Sequence, residues 1–294
     1  MTPDAALLEH ALARAVGTSV RIRMRSGLGG GDISVVERID TTAGSFVVKS
    51  GAGVAGLFQA EADGLRAVRA SGTSLRIPDV IMCHEAEPAF LVLEDLGQGS
   101  PVADFADRVG RGLAELHGTS APTFGFATDN FCGATPQPNP RRSSWIEFYR
   151  SARLGHQLEL GTRAGHYSTD DRRQTAALLA RLDTWIDEPD EGPALVHGDL
   201  WSGNLHTAAD GLPALIDPAA YFAHREAELG MMTLFGGFSS RVYAAYQEAR
   251  PLEPGWRDRN PLYQLYHLMN HVTLFGGGYH GQVMAIVRRY APAH

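Results

Sequence analysis

Residues 195–217 constrain the chain most tightly. They read Leu195-Val196-His197-Gly198-Asp199-Leu200-Trp201-Ser202-Gly203-Asn204, then two short strand-like runs joined by Ala209-Asp210-Gly211, and end on Leu215-Ile216-Asp217. Asp-Gly between short apolar runs signals a hairpin. With Asp210-Gly211 at its centre, Asn204 and Asp217 become cross-strand partners, although Pro213 in the returning run can shift that register by one residue. An amide oxygen beside a carboxylate makes a hard-oxygen pair suited to Mg²⁺. Asp199 is placed to accept a hydroxyl proton. Each piece alone is equally an ordinary turn or strand end; their joint order is what carries meaning.

The preceding sequence narrows the chemistry. Val20, Ile22 and Met24 alternate with polar residues, a glycine loop follows at Gly27-Leu28-Gly29-Gly30-Gly31-Asp32, and further strands are predicted over Ile33–Ile39 and Phe46–Lys49. A Walker A loop or a Rossmann fingerprint opens a helix; this loop joins two strands and has neither spelling. Kinase-type folds cover ATP phosphates with such a loop, and the Asp199-to-Asn204 spacing is that of the HRDxxxxN catalytic loop with Gly198 in place of arginine. Leu57, Phe58, Leu65 and Val68 fall at helical spacing around Glu61. A carboxylate on a buried face needs a cation, and Lys49 at the end of the preceding strand supplies one, unless Glu61 reaches water at the edge of the stripe.

The period then changes. Ala89–Leu93 is a strand running into Glu94-Asp95-Leu96-Gly97, after which helices are predicted over Val102–His117, Ser143–Leu160, Thr169–Ile186, Glu226–Ala249 and Pro261–Tyr290. The expected fold class is α+β: a two-lobed, protein-kinase-like arrangement. Residues 1–96 form a small β-rich lobe with one key helix, and residues 97–294 form a larger, mainly helical lobe. A net charge of −7 lacks the basic excess of a phosphate-backbone binder, so no nucleic acid partner is expected. Two cysteines cannot build a disulfide framework or a four-thiolate metal site. No stretch is apolar enough to span a bilayer, so a cytoplasmic protein without membrane attachment or evident obligate protein partner is expected.

The segments from His197 to Asn204, Asp217 to Glu226 and Phe275 to Tyr279 resemble the fructosamine kinase (ketosamine 3-kinase) family, within the aminoglycoside-phosphotransferase-like kinases. Thr135–Asn139 and Arg153–Leu158 resemble further segments of it, and the likeness runs over nearly the whole chain. It implies transfer of the ATP γ-phosphate to the sugar 3-hydroxyl of a fructosamine or ribulosamine, free or on a glycated lysine, which leads to deglycation. It implies ATP and Mg²⁺ as cofactors and Asp199 as catalytic base, with Asn204 and Asp217 as metal ligands. Lys49, held by Glu61, and the loop glycines Gly29, Gly30 and Gly31 would bind nucleotide phosphates. Backbone near Glu94 and Leu96 would hold adenine, and Trp201 would stack on the sugar, unless it is an ordinary core tryptophan.

Two departures from the family pattern stand out. Gly31-Asp32-Ile33 has no cysteine for a redox-linked dimer of the kind some eukaryotic members form, and Pro140-Arg141-Arg142 follows Asn139 where an aromatic is expected. The alternatives are a sibling kinase of another hydroxylated amine (an aminoglycoside, choline or homoserine) and a non-catalytic ATP-binding protein. The second would lack a phosphoryl-transfer group, whereas Lys49, Asp199, Asn204 and Asp217 are all present.

Overall fold

The structure, a computed structural model, describes residues 2–29, 33–51 and 53–291. Helix α1 (Ala5–Val16) is bounded by Asp4, whose carboxylate accepts the Leu7 amide at 2.8 Å, and by Gly17 in the left-handed conformation. It lies against one face of an antiparallel sheet formed by β1 (Ile22–Gly27), β2 (Val35–Thr41), β3 (Gly44–Ser50), β4 (Val80–His84) and β5 (Phe90–Glu94), in the order β1-β2-β3-β5-β4. The other face carries α2 (Leu57–Ala70).

Alternation along β5 explains its unbroken apolar run. Phe90 and Val92 pack with Leu8, Leu12, Phe46 and Val48, while Leu91 and Leu93 pack with Phe58 and Leu65 of α2. A strand buried on both faces has no polar side to show in sequence. The α2-side cluster continues into Val109 and Leu113 of α3 (Phe105–Leu116), so the sheet and the helical remainder share apolar packing.

The remainder begins with a small hairpin, β6 (Asn130–Cys132) and β7 (Thr135–Gln137). Helix α4 (Trp145–Phe148) passes through a π-helical turn (Tyr149–Gly155) into α5 (His156–Arg163), and α6 (Thr169–Ala180) follows. Strands β8 (Ala194–Val196) and β11 (Tyr221–Ala223) pair around the hairpin β9 (Leu205–Thr207) and β10 (Pro213–Leu215). Helices α7 (Glu226–Leu234), α8 (Ser240–Ala249), α9 (Trp256–Phe275) and α10 (His280–Tyr290) complete the chain.

The expected fold class therefore holds, and the differences lie in where helices break. The predicted helix over Glu226–Ala249 is two, parted at Gly236 and Gly237 with φ of 70° and 90°. The one over Pro261–Tyr290 starts earlier, at Trp256, and breaks at Gly276. The Thr169–Ile186 helix stops at Ala180 before a short 3-10 turn, and α3 starts three residues later than expected. β4, an edge strand, is intermediate in burial throughout and carries no period-two pattern to mark it in the sequence. Among the described residues no helix is long and apolar enough to cross a membrane.

Hydrogen bonds bind the β9–β10 hairpin to the sheet side. The Arg76 amide donates to the Pro213 carbonyl at 2.9 Å, the Leu215 amide to Arg76 at 2.9 Å and the Ala209 amide to Leu96 at 2.9 Å. The hairpin that Asn204 and Asp217 flank is thereby tied to the part of the chain that carries Lys49.

Candidate active site

Lys49 leaves β3 on the face that looks toward α2, as its register opposite Leu91 requires. Its Nζ lies 2.8 Å from a Glu61 carboxylate oxygen and 2.6 Å from Asp217 Oδ1, at a nearly buried position. Burial works against the ammonium, but attraction to Glu61 and Asp217 outweighs it and raises the Lys49 pKa above that of free lysine. Burial dominates for Glu61 and pushes its carboxyl up despite Lys49. Glu61 thus faces the lysine and does not reach out to water. All three groups line one cavity of about 930 Å³, together with Asp199, Asn204, Trp201, Ile33 and Ser34 just before β2, and Val36 in it.

The loop between β8 and the 3-10 turn at Ser202–Asn204 is held from beneath. The carboxylate of Glu228, buried in α7, accepts the backbone N–H groups of His197 and Gly198. Burial opposes its ionisation, but His117 at 3.7 Å and these hydrogen bonds keep its pKa below the usual value. His197 Nε2 meets the Ile216 carbonyl at 2.8 Å, which fixes the proton on Nε2 and leaves Nδ1 facing the Asp199 amide at 3.4 Å. One neutral ring therefore ties the Asp199 loop to the segment bearing Asp217.

Gly198 explains the missing arginine. Its φ is +85°, and a Cβ there would sit 2.2 Å from the Ala219 carbonyl oxygen. Neither conformation nor space admits a side chain. Gly198→Ala is expected to destabilise the fold by more than about 1 kcal/mol, since both strain and overlap are imposed, and to lower turnover. Thermal melts with initial rates check this: an unchanged Tm would contradict the packing described.

The hairpin register differs from the sequence expectation. Pro213 pairs with Thr207, Ala214 with His206 and Leu215 with Leu205, and the Ile216 amide donates to the Asn204 carbonyl at 3.1 Å. Asn204 thus faces Ile216, not Asp217. The loop bonds Ala208 N–H to Leu212 and Gly211 N–H to Ala208 centre the turn on Asp210. A one-residue slip would send Asp217 to the opposite face. Asp217 compensates by leaving the strand with φ of 56°, the one positive value at a non-glycine among the described residues, and this turn presents its carboxylate to Lys49. Strained backbone of this kind concentrates at functional sites.

The donor set fits a Mg²⁺ ion. Asn204 Nδ2 donates to the Asp199 carbonyl at 2.8 Å, which commits the amide nitrogen and leaves Oδ1 as the acceptor. Asp217 already attracts a cation, the Lys49 ammonium, and its side chain remains 42% exposed within the cleft. Both are hard oxygen donors of the class that holds Mg²⁺. Burial, with the negative charges of Asp217 and Glu228, raises Asp199 well above the usual carboxylate range.

Trp201 is 42% exposed and lines the cavity, so it is not a core tryptophan. Glu94 and Leu96 do not line it: the Glu94 amide donates to Asp79, and the Leu96 carbonyl accepts Ala209. Gly29 lies in a bend at the end of β1, whereas Gly30 and Gly31 fall outside the described residues. Sequence reasoning missed Glu228, although a carboxylate beside Leu229, Met231 and Met232 raises the same question as Glu61. It also missed the wall made by Asn130 and Cys132 of the β6–β7 hairpin. There Gln137 Nε2 reaches the Ala219 carbonyl at 3.1 Å and Asn130 Nδ2 the Ala220 carbonyl at 2.8 Å, which pins the backbone just after Asp217.

Known proteins resemble this chain in sequence and in fold. A protein-ribulosamine 3-kinase, chloroplastic, of Oryza sativa subsp. indica is 39% identical over 93% of this chain and 80% of its own. A crystal structure from Thermobifida fusca of the fructosamine-3-kinase type is 33% identical and superposes with a TM-score of 0.86, covering 97% of this chain and 99% of that one. Spectinomycin phosphotransferase, solved with ADP and spectinomycin, shares the fold alone, at 14% identity and a TM-score of 0.60 over 99% of this chain and 94% of its own. The fructosamine kinase profile matches residues 5–292. With a full-length match, a relative at 39% identity and the same two-lobed fold, the chain belongs to the fructosamine kinase family.

Proposed function

We propose that this protein transfers the γ-phosphate of ATP to the sugar 3-hydroxyl of a fructosamine or ribulosamine. The observation that carries this reading is the convergence of Lys49, Glu61, Asp199, Asn204 and Asp217 on one cavity. The relative named as a protein-ribulosamine 3-kinase supports the acceptor class, and the ADP held by spectinomycin phosphotransferase supports a nucleotide in this fold's cleft. Residues 1–96 would hold the nucleotide phosphates, and residues 97–294 would supply the catalytic loop and acceptor pocket.

Glu61 holds Lys49 at the cavity, where the ammonium meets the phosphate oxygens; Asn204 Oδ1 and the Asp217 carboxylate would hold the Mg²⁺. Neutralisation of charge on the departing ADP is what a bound Mg²⁺ supplies. Asp199 takes the proton of the 3-hydroxyl while that oxygen bonds to the γ-phosphorus and the bond to ADP breaks. Trp201, presented at the cavity mouth, offers an apolar face to the sugar.

A coupled ADP assay with fructoselysine, ribuloselysine and an aminoglycoside tests this. ADP formation is expected with the ketoamines and not with the aminoglycoside. The reverse preference would make the protein a sibling kinase of another hydroxylated amine, and no ADP with any acceptor would favour a non-catalytic ATP-binding protein.

A further inference from the structure

A second donor set meets Asp199 at the cavity wall. Cys132, at the end of β6, and His267, on α9, bring a sulfur and a ring nitrogen to the Asp199 carboxylate, with one donor atom of each residue within 4.8 Å of the others. Cys132 and His267 are 2% and 4% exposed. His267 Nδ1 is buried without a hydrogen-bond partner, an arrangement that costs free energy until something satisfies the nitrogen. Nothing in the phosphoryl-transfer reading uses either residue.

We propose that Cys132, His267 and Asp199 form a three-ligand site for a zinc-class divalent cation, and that filling it withdraws Asp199 from its part in the reaction. Sulfur, imidazole and carboxylate are the ligands of tetrahedral zinc, at about 2.3, 2.0–2.1 and 2.0–2.2 Å from the metal. Tetrahedral angles at those lengths put the donors about 3.3–3.6 Å apart, so side-chain shifts of roughly 1.5 Å or less close the site. The fourth position opens to the cleft, because Cys132 and Asp199 both line the large cavity. On binding, the Cys132 thiol proton leaves to solvent as the sulfur–metal bond forms.

Ligand softness separates this site from the Asn204–Asp217 pair. Thiolate and imidazole select zinc-like ions, whereas amide and carboxylate oxygens select Mg²⁺. One carboxylate residue, Asp199, therefore stands between two cation positions of different chemistry, and occupancy of the softer one acts as an off state.

Co²⁺ is the probe, titrated into the intact protein. One equivalent is expected to bind with a thiolate-to-cobalt charge-transfer band, and Zn²⁺ should displace it. Cys132→Ser should abolish the band, Cys83→Ser should keep it, and His267→Gln should weaken binding at least about tenfold, the smallest loss typical even of outer-shell changes. A wild-type protein without a thiolate band, or a band unchanged in Cys132→Ser, would overturn the site.

Inhibition, unlike binding, rests on the proposed role of Asp199. The Zn²⁺ concentration that halves ADP formation should rise at least about tenfold in Cys132→Ser relative to wild type. Cobalt bound through Cys132 with turnover unaffected by Zn²⁺ would refute the off state and count against Asp199 as the proton acceptor, while leaving the metal site standing.

Discussion

Asp199→Asn is expected to bind ATP with near wild-type affinity and to lose about 10²–10⁴-fold in turnover, the usual contribution of a positioned general base. The substitution keeps the volume and the hydrogen bond that the Asp199 carbonyl accepts from Asn204, so the nucleotide site should survive it. Burial and the charges of Asp217 and Glu228 raise the Asp199 pKa. The carboxylate acts when ionised, so activity is lost as pH falls through that raised value. The acidic limb of kcat/KM should therefore lie above the ordinary aspartate pKa of about 3.9. Steady-state rates and nucleotide titration of the variant check both points; near wild-type turnover would remove Asp199 from its role.

Lys49→Met should be the most damaging single change to the ion-pair cluster. Removing one partner of a buried pair costs about 3–5 kcal/mol because the other charge is left uncompensated, and here two acids, Glu61 and Asp217, would face each other. The deficit depends on pH with a definite sign. Burial already holds the folded pKa of Glu61 above its unfolded value, so the folded state binds the extra proton and stability falls as pH rises from about 4.3, the unperturbed glutamate value. Without Lys49 that pKa rises further, and the loss extends to higher pH. Denaturant melts should show the gap between Lys49→Met and wild type widening from pH 5 to pH 8. A gap independent of pH would show that Glu61 does not answer to Lys49.

What the sequence revealed and what it hid follow from locality. Glu61 was legible because an acid inside an apolar helical stripe needs a partner, and Lys49 stood one element away. The spacing of Asp199 and Asn204 was legible because both lie in one short segment. The register beyond Asn204 was not, since the pairing of Leu205 with Leu215 and the positive φ of Asp217 are set together with the bonds of Arg76 to Pro213 and Leu215 across the lobes. Glu228 lay 30 residues or so from the loop it supports, and its buried contacts with the backbone leave no periodic trace. The helix breaks at Gly236 and Gly276 were present in the sequence as glycine clusters, but the apolar pattern on either side ran through them.

The most direct test is ³¹P NMR of the reaction mixture with Mg²⁺-ATP and ribuloselysine. The cleft as described predicts that the γ-phosphate resonance of ATP declines while a phosphomonoester grows, coupled to the proton on sugar carbon 3. Decay of ATP into inorganic phosphate alone, or a spectrum that does not change, would contradict it.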